Sequence, residues 1–285
     1  MRPFAIAGLQ LELPRGNNLA MLVEEIRLAK ARLPWVNMLV LSELATYGTA
    51  PSNAEAFPGP AESACCKAAR DNKVWLITGS VFECDGDKIY NTASVIDPQG
   101  AVVARYRKIF PWFPYEAGIE PGDHFTVFDV PGVGRIGVSI CYDIWFPEHA
   151  RTLAWMGAEM IVNPSLTNTI DRDVELSLAR ATAAQNQCFL FNVNGAGTAG
   201  FGRSIVCGPG GEVLHQASIG REVFALEFDF DIITRARERG WHGLGQVVKS
   251  FRDNKVPFAP YTAGARSQAF DALGPLKMPK AEEGK

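Results

Sequence analysis

Residues Gly134 to Ser165 read GRIGVSICYDIWFPEHARTLAWMGAEMIVNPS. GRIGVSIC is an apolar run of strand length, Pro147 opens a helix that the spacing carries to about Met156, and EMIVNPS is a second apolar strand. Strand, helix and strand with short connections form the crossover unit of α/β proteins. The alternation extends toward the N terminus. FAIAGLQLE is strand-like, NLAMLVEEIRLAKARL places apolar residues at 19, 22, 23, 26 and 29, and NMLVLSE is a buried strand. The helix-like PAESACCKAARDN follows, then the strands KVWLITGSVFE and KIYNTASVID, separated by CDGD, whose Asp-Gly pair suits a hairpin. AVVARYRKI and FTVFDV lead into the opening segment. Downstream come the helix DVELSLARATAAQNQ, the strand CFLFNVNG, a hairpin in GRSIVCGPGGEVLHQA, the strand EVFALEFD and the helical DIITRARERG. Hairpins and crossovers in one chain predict an α/β architecture, most simply two sheets packed face to face with helices outside.

The chain has 285 residues, 47% hydrophobic and 21% charged, which suits one extensive core and excludes a disordered or fibrous protein. A net charge of -3 without a long basic run lacks the electrostatic footprint that phosphate backbones need, so nucleic acid is not an expected partner. The opening MRPFAIAGLQLELP lacks the apolar core of a signal peptide, and no stretch approaches the roughly 20 apolar residues that span a bilayer. The expectation is a cytoplasmic protein with no membrane partner. Six cysteines at 65, 66, 84, 141, 188 and 207 form neither C-x-x-C pairs nor zinc spacing, so free thiols and no metal are expected. No linker divides residues 1–261. The segment 262–285 is poor in aliphatic residues and rich in Gly, Pro and charge, and reads as a tail or an arm on a neighbouring subunit.

Three residues stand at the ends of apolar strands. Cys141 closes GRIGVSIC just before a helix, a turn that exposes a nucleophile and offers the Tyr142 N–H to a developing oxyanion. Taken alone, such a cysteine is more often a small buried hydrophobe. Glu43 breaks the run NMLVLSELATYG, and is either a salt-bridged residue at the sheet edge or a base whose pKa rises on desolvation. Lys108 ends AVVARYRK before IFPWFPYEAG, where aromatics and Glu116 crowd; a solvated lysine is the ordinary alternative. Their shared place at strand ends is the edge of an α/β sheet where sites assemble.

Over roughly residues 4 to 255 the chain resembles the nitrilase superfamily of carbon-nitrogen hydrolases. The stretches that carry the resemblance are LVLSELATYG, YRKIFPWFPYE, and GVSICYDIWFPE followed by RTLAWMGAEMIVNPS. The resemblance implies a four-layer αββα sandwich, Glu43, Lys108 and Cys141 as a catalytic triad, Glu116 as the second glutamate of many amidase branches, and a homodimer or larger homo-oligomer. KIFPWFPYE looks most like the lysine motif of aliphatic amidases and formamidases.

The residues make chemical sense together. A nearby Lys108 favours the thiolate of Cys141 while Glu43 accepts its proton, and attack on an amide carbonyl leaves a thioester that water then releases. Neither a metal nor an organic cofactor is needed. The expected substrate is a small neutral carboxamide. A nitrile is an alternative because a thiol attacks either carbon, and an N-carbamoyl amide is another. Trp112, Phe113, Tyr115, Trp145 and Phe146 suggest an apolar, restricted pocket. In branches resembling N-carbamoyl amino-acid hydrolases an arginine shortly after the cysteine commonly clamps the substrate carboxylate; Ile144 and Trp145 occupy that stretch here, and Arg172 is the arginine that could act from another loop. Asn163, Thr167 and Asn194 are further candidates for polar substrate contacts.

Other readings compete less well. GAGTAG at 195–200 fits G-x-G-x-x-G, yet a strand and a turn follow where a dinucleotide site needs a helix, so it reads as a glycine loop. His149 could serve a Cys-His hydrolase, but its place early in a helix suits a solvated or capping role. Asp171, Asp173 and Glu175 read as helix-start charges. A non-catalytic binding subunit on the same sandwich is the contrasting class, disfavoured because all three triad members are present.

Overall fold

The computed structural model describes residues 1–278 of the chain; 279–285, the end of the tail, lie outside the described residues. The first half contains β1 (Pro3–Gln10), α1 (Leu19–Arg32), β2 (Met38–Leu41), α2 (Pro60–Asn72), β3 (Trp75–Ile77), β4 (Val81–Asp85), β5 (Lys88–Ile96) and β6 (Val102–Arg107). The second contains β7 (Thr126–Val130), β8 (Gly134–Val138), α3 (Pro147–Trp155), β9 (Met160–Ser165), α4 (Asp171–Asn186), β10 (Phe189–Asn194), β11 (Ile205–Cys207) and β12 (Val213–Gln216). β13 (Glu222–Asp229), α5 (Asp231–Arg239), α6 (Val247–Asp253) and α7 (Gln268–Asp271) complete the order.

Each half is built on a parallel run with two helical crossovers, β1-α1-β2-α2-β3 and β8-α3-β9-α4-β10. Antiparallel strands widen both runs. The first sheet has the order β13-β1-β2-β3-β5-β4 with β6 paired to β5, and the second β12-β11-β10-β9-β8-β7. Strand alternation then sorts side chains into layers. In β2, Met38 and Val40 enter the core between the sheets, while Leu39 and Leu41 meet Leu22, Ile26 and Ala68 of α1 and α2. In β10, Phe189, Phe191 and Val193 face the other sheet, while Leu190 meets Leu153, Leu176 and Ala183 of α3 and α4. Both faces of the central strands are buried, so they read as continuous apolar runs. The layers are helix, sheet, sheet, helix, the αββα sandwich expected.

One strand differs from expectation. KVWLITGSVFE is two strands, because β3 pairs with β2 whereas β4 pairs with β5. At the break Gly79 takes φ +75°, and a Cβ there would lie 1.9 Å from the Ser42 carbonyl oxygen. Only glycine admits that approach. The chain can therefore pass against the turn that carries Glu43.

Beyond α5, α6 lies against α4, with the Phe251 ring edge-on to Trp155 and under the Arg151 guanidinium at 4.8 Å. Residues 262–278 are exposed, yet Leu276 borders a cavity of about 190 Å³ with Phe110, Tyr142 and Phe146. The tail thus reaches the aromatic edge of the candidate site in its own chain. Among the described residues no helix is long and apolar enough to cross a membrane.

Candidate active site

Along β6 the side chains alternate. Arg105 and Arg107 turn outward to Glu62 and Glu83, while Tyr106 turns into the core between the sheets. Lys108, one residue past the strand, follows Tyr106 onto this inner face and donates its backbone N–H to the Asn91 carbonyl of β5 at 2.8 Å. It is 1% exposed. A buried ammonium requires acceptors. Nζ donates to Glu43 Oε1 and to Glu116 Oε2, each at 2.8 Å. Burial alone pushes the lysine pKa down, but Glu43, Cys141 and Glu116 outweigh it and hold the amine well above its ordinary value. Lys108 is therefore a fixed positive charge.

Glu43 follows β2 in a turn held from three sides. Its N–H donates to the Ser165 carbonyl, the Leu44 N–H donates to Ser80 Oγ, and Gly79 rests on Ser42. Burial pushes the Glu43 carboxyl up; Lys108 opposes this and Glu116 adds to it, leaving the net shift upward. Such a carboxyl is a better base than a solvated one.

Cys141 stands where the chain leaves β8. The turn gives it φ +45°, a left-handed conformation that costs a side-chain-bearing residue about 1–3 kcal/mol. Asp143 holds the turn in place. Its Oδ2 accepts the Ile140 N–H at 2.9 Å and the Tyr106 hydroxyl at 2.6 Å, and its Oδ1 accepts the Phe110 N–H at 2.9 Å. One buried carboxylate therefore ties the cysteine turn to the segment after Lys108. His149 is not the solvated or capping residue expected. It is buried, with Nε2 2.7 Å from the Tyr106 hydroxyl, and burial pushes its pKa down, so the neutral ring donates to that hydroxyl. The thiol of Cys141, 9% exposed, is raised well above its ordinary pKa by burial, with Glu43 adding and Lys108 opposing. The resting sulfur carries its proton.

Asp143→Ala strands the Ile140 and Phe110 N–H groups, each unsatisfied group costing about 1–3 kcal/mol, and leaves the Tyr106 hydroxyl with His149 alone among its side-chain partners. The expected loss of stability is on the order of 3 kcal/mol or more, read from urea midpoints. A native midpoint would show that the turn holds without Asp143.

Cys141 opens into a narrow cavity of about 30 Å³ lined by Trp112, Tyr142, Trp145, Thr167 and Glu175 among others. It adjoins a cavity of about 480 Å³ on the Glu43 side, and Leu166 and Asn168 line both. Tyr115 stacks on Trp112 at 4.4 Å but remains 55% exposed, outside the cysteine cavity. Thr167 Oγ1 lies 3.7 Å from Cys141 Sγ and donates to Glu175 Oε1 at 3.0 Å.

Three expected substrate contacts are engaged by the protein instead. Arg172, 2% exposed, donates to Glu175 Oε2, Asn192 Oδ1 and the Arg203 carbonyl at 2.7–2.9 Å. It pairs with a buried carboxylate and does not line the cysteine cavity, although its Nε has no hydrogen-bond partner among the described residues. Asn163 lies beneath the cysteine turn, donating to Ser139 Oγ at 2.9 Å. Asn194 accepts the Thr167 N–H at 2.8 Å and donates to the Gly202 carbonyl at 2.9 Å. Glu175, expected as a solvated helix-start charge, is buried on the cavity wall because α4 packs over the cysteine turn. Tyr106 and Asp143 fall inside YRKIFPWFPYE and GVSICYDIWFPE, where nothing local marks their roles, and Asn91 falls in none of the three stretches. Asn91 is visible only as a polar interruption of the alternate row Ile89, Asn91, Ala93, Val95 in β5.

A family model for carbon-nitrogen hydrolases matches residues 5–238. The chain belongs to the carbon-nitrogen hydrolase family. This carbon-nitrogen hydrolase is 32% identical to the omega-amidase NIT2-A of Xenopus laevis over 210 residues, 68% of this chain and 76% of the relative. It is 34% identical to a formamidase of Bacillus cereus over 207 residues, 68% of this chain and 62% of the relative. A solved structure of the Nesterenkonia sp. AN1 amidase superposes with a TM-score of 0.73 at 25% identity, covering 82% of this hydrolase and 93% of that chain. That amidase, a glutamate-to-glutamine mutant, carries the acetamide moiety of fluoroacetamide on its active-site cysteine.

Proposed function

We propose that this hydrolase converts small neutral carboxamides to carboxylic acids and ammonia through an acyl-thioester on Cys141. The observation that carries the reading is the Lys108 ammonium, buried and held at 2.8 Å by both Glu43 and Glu116, beside a thiol that opens into a cavity. The formamidase and the Nesterenkonia amidase among its relatives support amide chemistry. As Sγ bonds to the carbonyl carbon, Glu43 takes the thiol proton, and the carbonyl π electrons move to oxygen. The Lys108 ammonium and the Tyr142 N–H stabilise that oxyanion. Its collapse breaks the C–N bond, and Glu43-H delivers its proton to the departing nitrogen, releasing ammonia. Glu43 then deprotonates water attacking the thioester, and the thiolate leaves and regains its proton. Glu116 keeps Lys108 oriented. A thiol of raised pKa suits this order, because its proton leaves as the bond forms rather than before.

The panel that tests the reading quantifies ammonia, acid and intermediate amide from matched amides and nitriles. Rapid amide turnover is expected, and turnover of nitriles alone would overturn it. The cavity also bears on charge. With Arg172 committed to Glu175, and Asp171 also on the wall, an α-carboxylate meets like charge rather than a clamp. The expected kcat/KM for a neutral amide exceeds that of its α-carboxylate counterpart by about tenfold or more. Arg172→Ala is expected to lower stability without changing that ratio. A native preference for the carboxylate that disappears in Arg172→Ala would make Arg172 the clamp.

A further inference from the structure

We infer that Asn91, given Glu43 as the base proposed above, is a positioning residue that keeps Glu43 ionised and aimed. Asn91 lies on the inner face of β5, opposite Lys108, and is 0% exposed. Its Nδ2 donates to Glu43 Oε1 at 2.8 Å, the same oxygen that accepts from Lys108, and lies 3.5 Å from Glu116 Oε1. One amide therefore spans the two carboxylates that flank the ammonium.

The electrostatics explain why a neutral donor belongs there. Burial and the neighbouring Glu116 both favour protonated Glu43, which could not accept the thiol proton. A hydrogen bond given to the ionised form opposes both and adds no charge. Lys108 also opposes them, but its ammonium must share its attraction with the oxyanion once substrate is attacked. Asn91 has no such second duty. Its placement on a strand, one residue pair across from Lys108, fixes the donor more rigidly than a loop would. The arrangement has a cost that packing does not explain. Asn91 Oδ1 is buried without a hydrogen-bond partner among the described residues, a penalty that an apolar side chain of similar volume would avoid. The residue is explained by what Nδ2 donates.

The experiment records kcat and kcat/KM against pH for the full-length enzyme, using the best neutral amide of the panel, in native, Asn91→Ala, Asn91→Asp and Glu43→Gln forms. Asn91→Ala is expected to lower kcat at neutral pH by about 10- to 100-fold with KM changed less than about threefold, because a charge-assisted hydrogen bond is lost. Its acid limb in kcat/KM moves up by about one pH unit, and activity recovers toward alkaline pH. Asn91→Asp, of the same shape, places a third carboxylate beside Glu43 and moves the limb at least as far. A purely structural residue would lower activity alike at every pH, so an unmoved limb in whichever variants fold overturns the inference. Near-native turnover by Glu43→Gln overturns the base assignment itself. An inactive Glu43→Gln beside Asn91 variants with the native limb overturns only the role of Asn91.

Discussion

Cys141→Ala is expected to fold as the native enzyme does and to lose turnover by a factor on the order of 10⁴ or more, the scale on which removing a covalent nucleophile acts. The fold survives because the thiol sits at the mouth of a cavity, and the turn that carries it is held by Asp143 rather than by sulfur. Alanine also tolerates the φ of +45° no worse than cysteine. Intact-mass measurement on a slow amide should find one added acyl group on the native chain and none on the variant. The site of addition follows from the environment of each thiol. Burial pushes Cys65 and Cys207 up to about 12, Cys188 to about 11 and Cys66 upward, and Cys84 is exposed, whereas Cys141 is the thiol beside the Glu43–Lys108 pair. Turnover by the folded variant within a hundredfold of native would remove Cys141 from the chemistry.

Lys108→Met is expected to have a double consequence, because the ammonium is the counterion of two carboxylates and, in the proposed mechanism, the electrophilic partner of the oxyanion. Loss of oxyanion stabilisation is expected to slow single turnover by about 10²-fold or more. Stability falls as well, with a sign set by linkage. Without the ammonium to oppose them, burial and the neighbouring Glu116 carry the folded-state pKa of Glu43 further above its unfolded value, so the folded chain holds a proton that the unfolded chain releases. The variant is then close to native in stability near pH 4, below the unfolded carboxylate pKa. It loses stability as pH rises toward the raised folded value, reaching a deficit of about 3–5 kcal/mol at pH 8, the range for breaking a buried pair. Urea curves at the two pH values read the difference. A deficit of equal size at both, or a native single-turnover rate, would show that Lys108 does not hold the two glutamates in the way its 2.8 Å contacts indicate.

Local periodicity was enough to establish the α/β class, since the spacing of apolar residues in NLAMLVEEIRLAKARL and the uninterrupted run of NMLVL are properties of neighbouring residues. Glu43, Lys108 and Cys141 were legible for the same reason, each interrupting or ending an apolar run, and the motif resemblance joined them. Partners across the chain were not legible. Asn91 reaches Glu43 across 48 residues and Lys108 reaches it across 65, separations at which periodicity carries no information. Glu175 stands three residues along the same helix from Arg172, but only the packing of α4 over β10 brings Asn192 and the Arg203 carbonyl to its guanidinium. Likewise His149 reads as a helix-start residue until Tyr106 arrives from β6 to bury and bond it. KVWLITGSVFE divides at Gly79 because the Ser42 backbone, brought there by β2, leaves no room for a side chain. The chain thus determines by itself which segments are strands and helices and which polar residues end them. The tertiary structure decides which of those residues are free to meet a substrate, because a buried polar group's role is set by the partner that satisfies it.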